Sequence, residues 1–357
     1  MNNFDFKDYI QSNLSEIIGY QALSYPNELR NFIKLDGNEN PYGPSKKAIE
    51  VLSQRNDFHL YPDHPDKLRQ KIADSLNVLP ENIVCSAGAD AVINLIFSSF
   101  KKQDMKLVII KPSFGMYKHD AMINNLLFDE INLEIASQPN GHYLDANLFS
   151  RNKHAFIFAI PNNPTGGIME KESILKLLDA EHLVIIDEAY IKFSKHQSYV
   201  ELTKKYKNLI VIQTFSKWAG LAGLRLGYGV MHRDLSSTLN AIQQPYTITN
   251  YAIDAAMVSL DDVEFLDNNV KKIIATKDLF INQLVDITNI TPINSEGNFI
   301  LCRINKGKNT DFQKFLYNKN ILIRSYSDVE LKKYVRISIG TPKNMEYVIE
   351  VIKEWNS

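Results

Sequence analysis

The sequence predicts an α/β protein with two parts: a large domain on a mostly parallel, doubly wound sheet, and a smaller α+β domain. From about residue 83, apolar runs alternate with helical patterns, which is typical of a doubly wound sheet. After about residue 250, long helical stretches precede a few short strands. A chain of 357 residues also exceeds the size that a single hydrophobic core usually serves.

We therefore expect the large domain to cover residues 35–250, and the small domain to combine residues 1–34 with 251–357. Residues 5–18 have the pattern of a short amphipathic helix, which we expect to join the small domain. No repeat, low-complexity tract or long flexible linker separates the two parts. Close packing of the two domains follows from this.

The elements of the large domain are predicted in chain order from turn residues, helical spacing and apolar runs. Ser45 is typical of the residue that caps a helix, here one through about Leu52. Leu68, Ile72 and Leu76 recur every four residues and predict the next helix. Five apolar runs then alternate with helices and are the predicted strands, at 83–85, 107–110, 156–160, 183–186 and 209–212. In the small domain we expect strands at 299–304, 321–324 and 334–339, with a helix near 310–319 and a last helix.

Composition excludes several classes of partner. The formal net charge is −1 and no block of Lys or Arg stands out. The sequence therefore shows no basic patch of the kind that binds nucleic acid or anionic membranes. Cys85 and Cys302 are isolated, which fits a reducing compartment and gives no metal-binding spacing. No signal-peptide pattern or membrane-length apolar run is present. A cytoplasmic protein without a metal site is the expectation.

Polar residues follow two of the predicted strands at the points where those strands end. Because ligands collect at the carboxyl ends of strands in open α/β sheets, we expect these side chains to converge in one crevice. Together they provide an amine for a Schiff base, an acid for a pyridine nitrogen and donors for a phosphate, which is what pyridoxal phosphate requires. The residues are Asp187, Tyr190, Thr214, Ser216, Lys217 and Arg225.

No single motif carries this interpretation. A Ser-Lys pair that opens a helix is most often an ordinary cap, and the chain has neither a GxGxxG dinucleotide fingerprint nor a GxxxxGK[ST] phosphate loop. The agreement of independent signals favours the functional interpretation.

From about residue 20 to its end, the chain resembles a fold-type I pyridoxal phosphate aminotransferase, and most closely the histidinol-phosphate aminotransferase family. The resemblance implies the aspartate aminotransferase-like fold. It rests on a set of motifs in a fixed order: LDGNENPYGPS at 35–45, YPD at 61–63, GAD at 88–90, PSFGMY at 112–117, PNNPTGG at 161–167, DEAY at 187–190, TFSKWAGLAGLRLGY at 214–228 and VRISIGT at 335–341.

The resemblance implies a role for each matching residue. Lys217 would hold the cofactor as a Schiff base and move the substrate proton, and Asp187 would pair with the pyridine nitrogen. Asn163 and Tyr190 would hydrogen-bond the ring hydroxyl, and Phe114 would stack on the ring. The cofactor phosphate would be held by Thr214, Ser216 and Arg225 and by the backbone N–H groups of Ala89 and Asp90.

Partners and substrate follow from the same resemblance. Tyr61 matches a tyrosine that reaches the phosphate from the neighbouring subunit, which implies a homodimer with shared active sites. Two arginines in the substrate pocket suggest a phosphate monoester, because guanidinium groups bind such anions bidentately. The residues expected to bind substrate are Arg336, Arg324, Tyr20, Asn298 and Asn38.

Three departures from the family pattern leave the substrate open. The family's PYNxN is replaced by PYTIT at 245–249, Ala91 stands where a glutamate is common, and the loop after Tyr61 is shorter. Histidinol phosphate with glutamate or 2-oxoglutarate is the family's first choice. Dihydroxyacetone phosphate or another small phosphorylated ketone is an alternative, as is decarboxylation of threonine or serine phosphate. A pyridoxal-binding regulator would need an N-terminal DNA-binding domain, for which we expect no room before Leu35.

Overall fold

A computed structural model of the chain describes residues 5, 10–17, 19, 25–101, 105–133, 144 and 153–355. Within these residues the chain forms one seven-stranded and one five-stranded sheet. The expected α/β class is confirmed. The boundaries of the two domains stay a prediction.

The seven-stranded sheet forms the centre of the large domain. Its strands are β2 (Ile83–Ser86), β3 (Lys106–Lys111), β4 (Phe128–Asn132), β5 (His154–Ala159), β6 (Leu183–Asp187), β7 (Leu209–Thr214) and β8 (Gly227–Val230). They lie in the order β2-β8-β7-β6-β5-β3-β4. Every pairing is parallel except the two made by β8.

Hydrophobic cores cover both faces of this sheet. Along β6, Val184 and Ile186 belong to one core and Ile185 to the other, because successive side chains of a strand point to opposite faces. Every side chain of a strand that is buried on both faces lies in a hydrophobic core. Such a strand is therefore apolar along its whole length and becomes polar only where it ends. The first polar side chain of β6 is therefore Asp187, at its carboxyl end.

The helices are α1 (Lys46–Ser53), α2 (Asp66–Leu76), α3 (Ala89–Ser98), α4 (Met116–Ile123), α5 (Lys171–Asp179), α6 (Arg233–Ile242), α7 (Asn250–Asp261), α8 (Val263–Val285), α9 (Asn309–Tyr317) and α10 (Pro342–Trp355). Ser45 caps α1 as expected, since its hydroxyl accepts from the N–H of Ala48. The helix expected at residues 5–18 is a short 3-10 helix at Ser12–Glu16. Residues 6–9 and 18 of that segment lie outside the described residues.

The five-stranded sheet carries the smaller domain. Its strands are β1 (Ile33–Leu35), β9 (Ile290–Pro292), β10 (Phe299–Ile304), β11 (Ile321–Ser325) and β12 (Tyr334–Ser338). They lie in the order β1-β11-β12-β10-β9. Because β1 pairs with β11, Leu35 belongs to this sheet, and the chain leaves it at residue 36. The segment 36–40 therefore begins at the edge of the small domain.

No helix in the described part of the chain is both long enough and apolar enough to cross a membrane.

Candidate active site

A cavity of about 440 Å³ lies between the two sheets, a volume usual for a small-molecule site. The large domain contributes residues at the carboxyl ends of β5, β6 and β7, which are Ala159, Asp187 and Thr214. The small domain contributes Arg324 and Arg336 from neighbouring strands. Parallel strands end at one edge of a sheet, so side chains far apart in sequence meet here.

Lys217 follows β7 and points its amine into this cavity. Its Nζ donates a hydrogen bond to the carbonyl oxygen of Gly37, 2.8 Å away. Burial, together with the positive charge of Arg336, lowers the pKa of Lys217 to about 8. A sizeable fraction of this amine is therefore neutral near physiological pH, which is the form that attacks a carbonyl carbon.

Asp187 presents a buried carboxylate at the end of β6. Its Oδ2 accepts from the hydroxyl of Tyr117 at 2.7 Å, and its Oδ1 accepts from the N–H of Ala189 at 3.0 Å. Burial raises the pKa of Asp187 to about 6, against the effect of these two hydrogen bonds. The carboxylate is thus mostly ionised at pH 7 and can neutralise a cationic ring nitrogen.

Tyr117 was not predicted from the sequence. It lies on α4, about one helical turn after Phe114, and its ring meets that of Phe114 edge to face. Phe114 precedes the helix, which begins at Met116, and the inclusion of Tyr117 in the PSFGMY motif was the available signal.

Tyr190 is held by two amides. Its phenol oxygen accepts from Nδ2 of Asn38 at 3.0 Å and from Nδ2 of Asn163 at 3.3 Å. Ser338, whose role no sequence pattern indicates, fixes Asn38. The Ser338 hydroxyl accepts from the Asn38 N–H and donates to Oδ1 of Asn38, both at 2.9 Å. Because both amides donate to the phenol, Tyr190 can give its own proton to a ligand.

An anion-binding cradle lies beside Lys217, at the beginning of α3. Ala89 and Asp90 open this helix, whose first N–H groups lack intrahelical partners and favour anions. Gly88 precedes them with φ +95°, and a Cβ at this position would lie 2.6 Å from Nη2 of Arg225. A glycine at residue 88 therefore suits both the positive φ and the present position of the Arg225 guanidinium.

Hydroxyl groups complete the cradle. The hydroxyls of Thr214 and Ser216 lie 2.9 Å apart and are buried. Arg225 pairs with the Asp90 carboxylate at 2.7 Å. Two hydroxyls, an arginine and a helix N-terminus are a donor set that suits a phosphate. Together with the Lys217 amine and the Asp187 acid, they fit pyridoxal phosphate.

Two arginines face each other in the small-domain wall of the cavity. Arg324 on β11 and Arg336 on β12 are direct partners in the antiparallel pair, so their side chains leave the same face of the sheet. Arg336 is buried, and its Nη1 donates to Oδ1 of Asn163 at 2.6 Å, while Nη2 donates to the carbonyl of Asp36.

The charge of this pair is unbalanced. The buried Nε of Arg336 has no hydrogen-bond partner among the residues that the structure describes. Neither arginine makes a salt bridge with an acidic residue of the described chain segments. Like charges on facing strand positions are unfavourable unless an anion lies between them. The wall is therefore suited to bind carboxylate or phosphate groups.

The remaining predicted residues lie in different places. Phe114 lines the cavity. Asn298 lies behind it, fully buried, and donates to the carbonyl of Asn38 at 3.0 Å. Tyr61 is 78% exposed and stacks on Tyr246, at the family's PYNxN position, rather than lining the cavity of its own chain. Tyr20 lies outside the described residues.

Comparisons with known proteins agree with this geometry. Residues 30–352 match the family described as aminotransferase class I and II. The histidinol-phosphate aminotransferase of Dehalococcoides mccartyi is 33% identical over 98% of this chain and 99% of its own length. The chloroplastic histidinol-phosphate aminotransferase of Nicotiana tabacum is 36% identical over 91% of this chain and 79% of its own length.

Solved structures share the fold. The histidinol-phosphate aminotransferase of Sinorhizobium meliloti in complex with pyridoxal-5'-phosphate superposes with a TM-score of 0.82, at 20% identity, over 97% of this chain and 98% of that one. The L-threonine-O-3-phosphate decarboxylase of Porphyromonas gingivalis reaches 0.80, at 24% identity, over 90% and 99%. This chain belongs to the class I and II aminotransferases, in the histidinol-phosphate aminotransferase family, whose fold-type I enzymes use pyridoxal phosphate.

Proposed function

We propose that this protein transfers an amino group between glutamate or 2-oxoglutarate and histidinol phosphate or imidazole acetol phosphate. The observation that carries the proposal is the pair Arg324 and Arg336, which face each other in the wall of the cavity that contains Lys217. Both substrates are anions at neutral pH, and one carries a phosphate monoester. The relatives named for this activity support the same substrate.

The cofactor, when bound, supplies a carbonyl group that takes up the amino group and a ring that delocalises negative charge from the substrate Cα. In this proposal Lys217 removes and returns the proton at Cα, a task suited to an amine whose pKa is lowered to about 8. Asp187 holds a proton on the ring nitrogen through its negative charge. Tyr190 and Asn163 hydrogen-bond the ring hydroxyl, and Phe114 packs on the ring.

In this proposal the two arginines bind different anionic groups of the substrates. Arg336 binds the carboxylate of glutamate, since its guanidinium is fixed by Asn163 and the Asp36 carbonyl. Arg324 binds the phosphate of the other substrate. Asn38 and Tyr20 complete the substrate-binding set in this proposal, and Asn298 supports the set from behind through its hydrogen bond to the Asn38 carbonyl.

We further propose a cytoplasmic homodimer in which Tyr61 reaches the cofactor phosphate of the partner subunit. Tyr61, Tyr246, Phe58 and Leu60 form an exposed, mostly aromatic surface that suits burial against a second copy. Tyr61→Phe is the variant that separates the two roles of this residue, because it keeps the aromatic surface and removes only the hydroxyl proposed to reach the phosphate.

Two half-reactions test the proposed function. We expect glutamate and histidinol phosphate, each added alone, to convert the cofactor absorbance of the purified holoenzyme to that of the aminated form. Arg324→Ala is expected to lower kcat/KM for histidinol phosphate by about 100-fold, the usual cost of losing a buried charge contact, and to change the glutamate reaction less than about threefold. Arg303→Ala is the matched control, because Arg303 lies exposed in the same sheet. Failure of glutamate to convert the cofactor would overturn the assignment.

A second candidate is decarboxylation of an amino-acid O-phosphate. It is favoured by the same arginine pair, because threonine and serine phosphate carry a carboxylate and a phosphate in one molecule. Release of carbon dioxide from either compound, without conversion by glutamate, would establish it. The remaining alternative is an aminotransferase that acts on another small phosphorylated ketone. It is tested by supplying dihydroxyacetone phosphate as the amino acceptor in the same assay.

The lowered pKa of Lys217 gives a pH prediction. A lysine below its pKa is protonated and cannot attack an aldehyde. We therefore expect the rate at which the apoprotein captures pyridoxal phosphate to rise with pH, with a midpoint near 8. Arg336→Gln removes a positive charge that lowers this pKa, so the midpoint should move to higher pH. Stopped-flow absorbance between pH 6.5 and 9.5 measures both, and equal midpoints would contradict the coupling.

A further inference from the structure

Lys277 is a buried lysine on α8, outside the cavity. It is 4% exposed, and its Nζ donates to the carbonyl oxygens of Ser295 and Gly297. No carboxylate of the described residues lies within salt-bridge distance of it. Burial lowers the pKa of Lys277, which reflects the cost of placing an ammonium group away from water. The carbonyl groups of Ser295 and Gly297, which lie in one turn, offset this cost because they accept hydrogen bonds from the ammonium group.

This turn, residues 295–298, lies against the loop that carries Asn163. The Glu296 N–H donates to the carbonyl of Gly166 at 2.8 Å. Gly166 has φ +74°, and a Cβ there would lie 2.1 Å from Oγ of Ser295. The loop at 161–167 and the turn therefore fit together without spare room.

The same turn holds the segment that follows Tyr190. The Glu296 carboxylate accepts from the Ser194 hydroxyl at 3.1 Å and from the Lys195 N–H at 2.9 Å. A displaced turn would carry these acceptors away from residues 194–195. Tyr190 lies only four residues before Ser194.

The turn also leads directly into the residues behind Arg336. The Asn298 side chain donates to the Asn38 carbonyl at 3.0 Å, and the Asn298 backbone carbonyl accepts from the Ile339 N–H at 2.9 Å. Phe299 meets the ring of Tyr190 edge to face at 5.0 Å, and its ring lies 5.5 Å from the guanidinium carbon of Arg336.

We propose that Lys277 is a positioning residue: by holding two carbonyl groups of the turn 295–298, it fixes the orientation of Arg336 and Tyr190. It touches neither substrate nor cofactor. This inference rests on the proposed function in one respect, the assignment of Arg336 as the carboxylate site. Lys277 is expected to affect binding at Arg336 far more than binding of the cofactor phosphate, whose cradle lies on α3 and after β7.

Three variants test the proposal in the holoenzyme. Lys277→Met keeps the length of the side chain and removes its donors, Lys277→Gln keeps a neutral donor, and Lys271→Met is the control on the exposed face of α8. The measurements are the Tm, the affinity for pyridoxal phosphate, the affinity for the unreactive dicarboxylate glutarate, and kcat and KM for glutamate.

We expect Lys277→Met to weaken glutarate binding and raise KM for glutamate by about 10-fold or more, since small misplacements of a binding group have effects of this size. Lys277→Gln should lie between this variant and the wild type. Cofactor affinity should change less than about threefold in all three, and Lys271→Met should match the wild type throughout. If Lys277→Met does not fold, Lys277→Gln carries the same comparison.

The proposal is overturned if both Lys277 variants bind glutarate as the wild type does, or if cofactor affinity falls as much as glutarate affinity. A wild type that neither binds glutarate nor reacts with glutamate contradicts the proposed function instead. In that case the pH titration of the cofactor absorbance still decides the positioning role. It should shift in Lys277→Met through the altered Tyr190, and an unchanged titration would reject the role.

Discussion

Lys217→Ala is expected to lower kcat for amino-group transfer by roughly 10⁴-fold or more, the scale seen when a covalent catalytic group is removed. Among the described residues three lysines line the cavity, but their surroundings differ. Lys111 pairs with Glu330 at 3.3 Å and Lys118 pairs with Glu130 at 2.9 Å, so both ammonium groups are stabilised by carboxylates. Lys217 faces a backbone carbonyl instead, and its pKa is lowered to about 8.

The matched control is Lys118→Ala, which removes a second amine from the same cavity. We expect this variant to keep kcat within about tenfold of the wild type, because it loses a partly exposed ion pair of small energetic value. Circular dichroism and size-exclusion chromatography should show that both variants keep the fold. A Lys217→Ala enzyme that still turns over, or a Lys118→Ala enzyme that loses as much, would contradict the assignment.

Asp187→Asn has the second largest expected effect, a loss of roughly 10²- to 10³-fold in kcat, the range for removing one partner of a buried charge pair. The substitution preserves the shape of the side chain and removes its negative charge. Burial raises the pKa of Asp187 to about 6 in the chain itself, and the cationic ring nitrogen of the bound cofactor should lower it again. Wild-type kcat should therefore fall only as the pH drops below about 6 and the carboxylate takes up a proton. The Asn variant has no carboxylate to protonate and should lack this acid limb.

Tyr117→Phe separates the charge of Asp187 from its position. The Tyr117 hydroxyl donates to Asp187 and thereby lowers the pKa of the carboxyl group. Removing this donor should move the acid limb of the kcat profile to higher pH while leaving kcat at pH 8 within about tenfold of the wild type. Steady-state rates from pH 5 to 8.5 measure the limb. An acid limb that persists in Asp187→Asn would assign it to another group.

Much of this site could be predicted because parallel strands end together. The apolar runs at 183–186 and 209–212 predicted two buried strands, and the polar residues after them were expected to meet. In the structure Asp187 and Lys217 line one cavity. Strand β8 was harder to predict, because two of its four residues, Gly227 and Gly229, weaken the strand pattern.

The supporting residues could not be predicted from local patterns. Ser338 holds Asn38, which lies 300 positions away, and Tyr117 contacts Asp187 across 70 positions. Lys277 lies on a helix with many charged residues, where a lysine usually faces water, and it is buried by tertiary packing that includes its contact with residues 295–297.

Whether Lys217 binds pyridoxal phosphate is decided by reducing the purified holoenzyme with borohydride, which fixes a Schiff base irreversibly. Peptide mass spectrometry should then find the pyridoxyl group on Lys217 in the TFSKW segment at 214–218, and on no other lysine. A label on Lys111 or Lys118, or no label on protein that has been saturated with the cofactor, would contradict the role of Lys217.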